Sequence, residues 1–438
     1  MRGRALASFC VFACVLAVAD GASAETLTQA LDRVGVAPAE RSADLAVAAN
    51  ARQIARRIGG ARGRAIRVVL ASTTALLARD DVTPALTRIA FLELAANADY
   101  LAAHRLPSTG TRIRIGGVVY ESYRGQGLRI QPLGTYFAIL EPGAGIAAEG
   151  GAAAALTEAQ AIVLDAGGEA RLPYLFPYAG MAPPWYSAMA EAVAASAAAR
   201  VWQRTQRPAA LGLAVRFGNA ALGRALPEPD GGLWFPLYAA QPGYRVLNAH
   251  LEATIAMGAL ARATGDDAFA AAYAQAVATA LAVLPAYDTG GWGRYAPGED
   301  APVKYMELMA TQLRRLGALT GDRRFTRLGV AFGRDLVRRP EVHGPSGVLV
   351  ARRHGRRRPT TALVVRSDKP VTLTLRVTTP RGRATAVPDV AVAVGSGTTS
   401  LVVAVPKAAG RYVIRAVAED WAGNRRGPLL LARVRVPR

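Results

Sequence analysis

Cysteine is nearly missing. The chain of 438 residues has two, Cys10 and Cys14, both near the N-terminus. Everything downstream lacks a thiol, which excludes disulfides, thiolate metal ligands and a cysteine nucleophile there. Histidine is scarce too: His104, His250, His343 and His354 never fall at a metal-ligand spacing, so no metal site built on histidine is expected. Lysine is reduced to Lys304, Lys369 and Lys407. No glycine-rich phosphate loop and no G-x-S-x-G elbow occurs, which removes the common nucleotide and serine-hydrolase signatures. Past the N-terminal segment we read no apolar run of the roughly 18–20 charge-free residues a membrane span needs, so no span is expected. No metal and no organic cofactor is implied.

What is present supports a large core. Hydrophobic residues make up 51% and charged residues 19%, which excludes a mainly disordered chain. The length favours two or three domains. Lys+Arg is 53 against 32 for Asp+Glu, a formal charge of +21, carried almost wholly by arginine. A positive field favours polyanions. A GC-rich genome would leave the same arginine and alanine excess. The start of the chain reads as a signal peptide: Arg2 and Arg4, an apolar run from Ala5 to Ala19, then Ala22-Ser23-Ala24 as a cleavage site. Cleavage after Ala24 removes both cysteines. The expected location is secreted or cell-envelope. An exported basic protein meets acidic polysaccharide rather than nucleic acid.

Along the chain, hydrophobic spacing divides the sequence as follows. Residues 1–24 are the signal peptide and 25–110 an N-terminal helical region, with apolar spacing of three and four over 43–58, 66–78 and 83–104. Residues 111–172 are β-rich: Arg112-Ile113-Arg114-Ile115 alternates, glycines punctuate, and hairpins are expected through 142, then loop and one short helix. Residues 173–338 are helical with a repeat. Thr264-Gly265-Asp266 and Thr320-Gly321-Asp322 stand 56 residues apart, each between two helical patterns, and Thr205-Gln206-Arg207-Pro208 is a weaker counterpart. Glycine closes one helix and aspartate caps the next. Helix pairs at this period suggest an α/α-toroid or solenoid, with an irregular bundle as the alternative. Residues 339–361 read as a basic linker holding Arg352, Arg353, Arg356, Arg357 and Arg358. Residues 362–438 alternate strictly over Val371–Val377 and again over Arg411–Ala418, suggesting an immunoglobulin-like β-sandwich. The expected fold class is multidomain α+β, with a toroid-like catalytic domain between a β-rich region and the sandwich.

Aromatic residues concentrate at junctions between helices. Trp185 and Tyr186 follow Pro183-Pro184; Trp234, Phe235 and Tyr238 precede Val246-Leu247-Asn248; Tyr287-Asp288-Thr289-Gly290-Gly291-Trp292-Gly293-Arg294-Tyr295 precedes Tyr305. In a helical toroid such loops line the central cleft, where rings stack on sugars; each ring taken alone also reads as core. These stretches resemble the C-terminal catalytic domain of the glucuronyl 5-epimerases. That family has W-Y-S-A-M-A, here Trp185 to Ala190. It has W-Y-E-E-Y-P…P…V-L-N, with which Trp234, Tyr238, Pro242 and Val246-Leu247-Asn248 are in register. It has L-Y-D-T-G-x-G-x-x-Y, matched by Tyr287 to Gly290 and Tyr295, and a late tyrosine before Gln-Leu, matched by Tyr305, Gln312 and Leu313. Gly125-Gln126-Gly127 to Leu133 is similar to the upstream β-region. The resemblance spans roughly 115–335.

The resemblance implies inversion at carbon-5 of D-glucuronate in an acidic polysaccharide of the heparosan type, with no cofactor, and a homodimer. The proton leaves a carbon α to a carboxylate, so donors or cations must stabilise an enediolate and two proton carriers must flank the carbon. By resemblance Tyr238, Tyr295 and Tyr305 transfer protons or contact substrate, their phenols requiring arginines to lower an ordinary pKa of about 10. Arg245 and Arg294 are the candidates for neutralising the carboxylate, with structural ion pairs as their alternative. Trp185, Tyr186 and Trp292 are expected as sugar platforms and Trp234 as a further substrate contact, while Asn248 and Asp288 brace the loops. The chain departs from the family where two glutamates precede the first tyrosine: it has Pro236-Leu237. Met306 and Met309 replace the histidines after the late tyrosine, and Glu307 is the nearby substitute. Two other activities remain open: a uronate polysaccharide lyase, and a glycan-binding protein without catalysis.

Overall fold

The computed structural model describes residues 25–140, 149–353 and 358–438. The signal-peptide expectation, with Cys10, Cys14 and cleavage after Ala24, lies outside the described residues. So do His354, Arg356 and Arg357 of the basic linker. The described chain is a mixed helix and sheet protein in two compact units, divided after Ala102.

The first unit holds α1 (Leu27–Val34), α2 (Pro38–Ile58), α3 (Gly60–Leu77) and α4 (Pro84–Ala103); the last three overlap the segments 43–58, 66–78 and 83–104, and α1 precedes them. Thr26 and Gln29 form a reciprocal capping box that starts α1, and Pro38 starts α2 where its missing N–H costs nothing.

The second unit opens with an antiparallel sheet of β1 (Arg112–Ile115), β2 (Val118–Tyr123) and β3 (Gly127–Ile130), which sets Tyr120 opposite Ile130. The expectation of strands up to 142 ends there. Pro132 begins a helix, α5 (Pro132–Leu140), apolar on most sides and therefore without a period to read. After α6 (Glu149–Ala159) comes a small hairpin of β4 (Leu164–Ala166) and β5 (Glu169–Arg171).

Three helical hairpins follow. They are α7 (Ala188–Thr205) with α8 (Pro208–Gly223), α9 (Leu247–Thr264) with α10 (Asp267–Tyr287), and α11 (Val303–Thr320) with α12 (Arg323–Asp335). The first member of each pair also packs on the first member of the next, so α5, α7, α9 and α11 form an inner row and α6, α8, α10 and α12 an outer one. The repeat is a shared joint. Thr205, Thr264 and Thr320 each donate their hydroxyl to the carbonyl four residues back and accept the backbone N–H two residues ahead. Gln206, Gly265 and Gly321 take the left-handed conformation that ends the helix, and Asp266 and Asp322 cap the next one. Inner helices α7 and α9 are buried on nearly all sides, which their alanines permit. Outer α12 buries only Phe325, Gly329, Phe332 and Asp335. The absence of a span-length segment is corrected at α10: it has the length and, at a mean hydropathy of 1.5, the composition of a span. Alanine raises its hydropathy, and it stands in the outer row, with Phe269, Ala272, Ala276 and Ala280 turned inward.

Short hairpins join the helix pairs: β6 (Leu226–Pro227) with β7 (Leu233–Trp234), and β8 (Arg294–Ala296) with β9 (Glu299–Asp300). The stretch read as a linker is instead partly sheet, because β10 (Val342–His343) and β11 (Val348–Val350) belong to the sheets that follow. With β12 (Thr360–Ser367), β13 (Val371–Thr378), β14 (Val390–Val394), β15 (Gly397–Ala404), β16 (Gly410–Asp420) and β17 (Arg425–Val436) they form two sheets. Their orders are β10-β12-β15 and β11-β17-β16-β13-β14. The strict alternation of β13 buries Val371, Leu373, Leu375 and Val377 against Leu363, Val365, Ile414 and Val434 in one core.

Candidate active site

Loops between the inner helices bring tyrosines together. Tyr123 ends β2, Tyr178 lies between β5 and α7, Tyr238 and Tyr244 lie between β7 and α9, Tyr295 is in β8, and Tyr305 is in the first turn of α11. Their rings form a chain of contacts. Tyr123 to Tyr178 is 6.0 Å between centroids, Tyr178 to Tyr238 6.1 Å, Tyr238 to Tyr244 6.2 Å, Tyr244 to Tyr295 6.3 Å, and Tyr295 to Tyr305 4.7 Å. Tyr178 with Tyr238, and Tyr295 with Tyr305, are close enough for each phenol to affect the ionisation of its neighbour. The three tyrosines expected to be catalytic therefore belong to one cluster. The sequence reading missed Tyr178 and Tyr244. For Tyr178 the available signal was the alternation Tyr174, Phe176, Tyr178.

The electrostatics correct one expectation. The shifts at Tyr238 and Tyr295 come from burial and neighbouring phenols, not from arginine. Burial raises Tyr238 and Tyr295, and the neighbouring phenols add to it, because a phenolate would face both poor solvation and other ionising rings. Burial also raises Tyr178, opposed by a bond from Tyr238 that favours the ionised form. Tyr244 is raised by burial and then by Glu299, whose carboxylate accepts its hydroxyl at 2.8 Å. Glu299 is thus a carboxylate that reaches the cluster, although Pro236 and Leu237 occupy the positions of the family's glutamates. Lys304 is a cation that does so. Its ammonium stands 4.8 Å from the centre of the Tyr305 ring. Neither residue was anticipated, since neither lies in a recognised motif.

Several anticipated residues have other tasks. Glu307 is exposed, two positions beyond Tyr305 and about 200° around α11, so it faces away from the tyrosines. Arg245 pairs with Glu228 and lies over Trp234, 4.6 Å from the ring centre, so the structural ion pair holds. Half-buried Arg294 alternates with Tyr295 along β8 and points to the Ala286 carbonyl at 3.5 Å. Three tryptophans are not open platforms. Trp185 is 6% exposed, stacks on Tyr174 at 3.8 Å and donates to the Phe176 carbonyl, forming the support beneath Tyr238. Trp234 is fully buried between Arg245 and His250, and Trp292 is fully buried with its indole N–H on the Ala301 carbonyl. Tyr186 is half-buried under the Arg224 guanidinium, 4.4 Å from its ring centre.

The remaining residues brace the loops. Asp288 accepts the Gly290 N–H at 2.8 Å, holding the turn before Trp292. Asn248 is buried at the start of α9, and its carbonyl accepts from Gln312, which also donates to Glu252 at 2.8 Å, tying α9 to α11. His250 accepts the Phe235 N–H on Nδ1 and faces the Ala276 carbonyl with Nε2, while burial pushes its pKa down to about 3. It is a neutral structural histidine. Among the described residues no group of three His, Cys, Asp or Glu is placed to hold a metal ion.

Comparison with known proteins adds the following. No curated protein matches the chain. Among solved structures, a sugar epimerase from a ruminal bacterium is 15% identical over 47% of this chain, with a TM-score of 0.33. The chain spans 57% of that epimerase's length. The cellobiose 2-epimerase of Spirochaeta thermophila is 18% identical over 62% of this chain and 72% of its own, at a TM-score of 0.35. A GH76 alpha-mannanase of Bacteroides thetaiotaomicron is 12% identical over the same shares, at 0.34. The family model described as D-glucuronyl C5-epimerase C-terminus matches residues 168–332, which hold Tyr178, Tyr238, Tyr244, Tyr295 and Tyr305. This is the family that the sequence motifs resemble, and the match makes residues 168–332 an epimerase-like segment.

Proposed function

We propose that this protein inverts carbon-5 of uronate residues in an acidic polysaccharide by removing and returning the proton α to the carboxylate. The observation that carries it is the cluster of neighbouring phenols, Tyr178 with Tyr238 at 6.1 Å and Tyr295 with Tyr305 at 4.7 Å between ring centroids, within the epimerase-like segment. Phenols kept neutral by burial are proton donors. A phenolate at Tyr178 is favoured by its neighbour Tyr238, which opposes the effect of burial there. In a reversible inversion the acid of one direction is the base of the other: a phenolate on one face takes the carbon-5 proton and becomes a phenol, while a neutral phenol on the opposite face donates its proton and becomes the phenolate of the reverse reaction. Lys304 stands where a cation stabilises the substrate carboxylate as negative charge moves onto it. The phenolate that takes the carbon-5 proton forms when a phenol of the cluster passes its proton through Tyr244 to the Glu299 carboxylate, which accepts the Tyr244 hydroxyl.

The net charge of +21 suits a polyanionic substrate. We take the mature protein as exported, with residues 173–338 as an α/α-toroid-like catalytic domain and 362–438 as an immunoglobulin-like sandwich, and a homodimer as its assembly. Incubation with glucuronate-containing polysaccharides in heavy water tests the reaction. Loss of the carbon-5 proton signal with iduronate-type resonances supports it. An unsaturated product indicates a lyase, and binding without exchange indicates a glycan-binding protein.

A further inference from the structure

The segment 288–301 carries two groups of the site, Tyr295 and Glu299. Its hairpin pairs three residues of β8 with two of β9, too few to hold a shape alone. The C-terminal sheets grip it at both ends. At one end Asp300 Oδ2 accepts the Ser396 N–H at 2.8 Å, and Oδ1 accepts the Ser396 hydroxyl. Ser396 and Gly395 are the turn between β14 and β15, and a Cβ on Gly395 would stand 3.3 Å from Asp300 Oδ2. At the other end Gly291 lies against the turn between β12 and β13. A Cβ there would come 2.6 Å from the Asp368 carbonyl oxygen, so only glycine permits the approach.

Beside Gly291, the buried Trp292 ring lies 5.6 Å from the ammonium of Lys369. Lys369 is fully buried and bonded to Asp420 at 3.0 Å, with the Asp335 and Arg338 carbonyls accepting as well. Asp368 pairs with Arg338 at 2.6 Å. Asn424, bonded to Asp420, reaches the Leu336 carbonyl at 2.8 Å. A buried ion pair adds little net stability, but breaking it is costly, so it serves to fix geometry.

We propose that the C-terminal β-domain is a clamp on the catalytic hairpin. Asp300, Ser396 and Lys369 are positioning residues that hold Tyr295 against Tyr305 and Glu299 against Tyr244. This rests on the reading of the tyrosine cluster as the proton-transfer site. A displacement of about 1 Å at a reacting group costs on the order of 100-fold in rate.

The test uses the full chain with Ser396→Ala, Asp300→Asn and the double variant. Hydrogen exchange is followed along the chain, and carbon-5 exchange on a glucuronan is followed kinetically. The expected result is faster amide exchange in 293–301, by about tenfold or more, with α9 and β13 unchanged. The kcat should fall by roughly 10- to 100-fold with little change in KM, and the double variant should resemble Asp300→Asn because the two residues make one contact. Ser396→Thr, which keeps the hydroxyl, should recover most of the rate. Unchanged hairpin exchange in both single variants overturns the proposal, as does a loosened hairpin with undiminished kcat. If the unsubstituted chain exchanges no carbon-5 proton but the hairpin loosens as expected, the clamp stands and the epimerase reading falls.

Discussion

Tyr295 and Tyr305 meet with ring centroids 4.7 Å apart and planes at 45°. One comes from a two-stranded hairpin and the other from the first turn of the following helix. Tyr295→Phe keeps the ring and removes the proton. It is expected to lower the rate of carbon-5 exchange by about 100- to 10,000-fold. Circular dichroism should show an unchanged fold. A loss below tenfold would remove Tyr295 from the proton path.

Lys304 supplies the positive charge beside Tyr305. Lys304→Met should reduce kcat/KM on a uronate polymer by roughly 10- to 100-fold, the worth of a hydrogen bond to a charged group. Lys304→Arg should retain part of it. Steady-state kinetics at two ionic strengths checks this, because general attraction of the polymer is screened by salt more than a direct contact is.

The buried phenols predict the response to alkali. Burial raises Tyr123, Tyr178, Tyr238, Tyr244 and Tyr295 above the ordinary range and pushes Tyr287 up to about 12. Above pH of about 10 the unfolded chain releases protons that the folded chain keeps, so stability falls as pH rises. An ultraviolet titration of the folded protein should show these tyrosines un-ionised at pH of about 10 and ionising together on unfolding. Early, gradual ionisation of all tyrosines would contradict the burial.

Acid acts through His250, whose pKa is pushed down to about 3 by burial. Below about pH 6.5 the unfolded chain binds a proton there that the folded chain does not, so stability falls with pH, by up to about 1.4 kcal/mol per unit. Glu191, pushed up to about 7 by burial despite Arg224, has the opposite sign: its folded form keeps a proton that the unfolded chain releases from about pH 4.5 upward. The two oppose each other between about pH 4.5 and 6.5, and the loss should steepen below that. Denaturant midpoints across this range, with the His250 ring resonance followed by NMR, check both. A ring that protonates near its ordinary value would contradict the neutral, buried imidazole.

What the sequence disclosed follows the range of each interaction. The Thr-Gly-Asp joints were legible because a helix stop and a cap are decided within three residues, and the weaker joint at Thr205 uses the same hydroxyl geometry. Strand alternation over Val371–Val377 was equally plain. Tyr238, Tyr295 and Tyr305 could be singled out because motif spacing carries them, and their rings lie in one cluster. Trp234 and Trp292 were misassigned because a motif shows an aromatic without showing which partners cover it: an arginine with a histidine, and a lysine from another sheet. Lys304 and Glu299 were missed because only folding brings them to the cluster, and Tyr178 because its alternation with Tyr174 and Phe176 was passed over. Strands β10 and β11 escaped notice because two- and three-residue strands have no period.

The most direct test of the central claim is the proton spectrum of a glucuronate-containing polysaccharide incubated in heavy water with the purified protein and, separately, with Tyr295→Phe. The expected result is loss of the carbon-5 signal and growth of iduronate-type resonances with the unsubstituted chain, and neither with the variant. Retention of the carbon-5 proton with the unsubstituted chain on every uronan that it binds would contradict the claim.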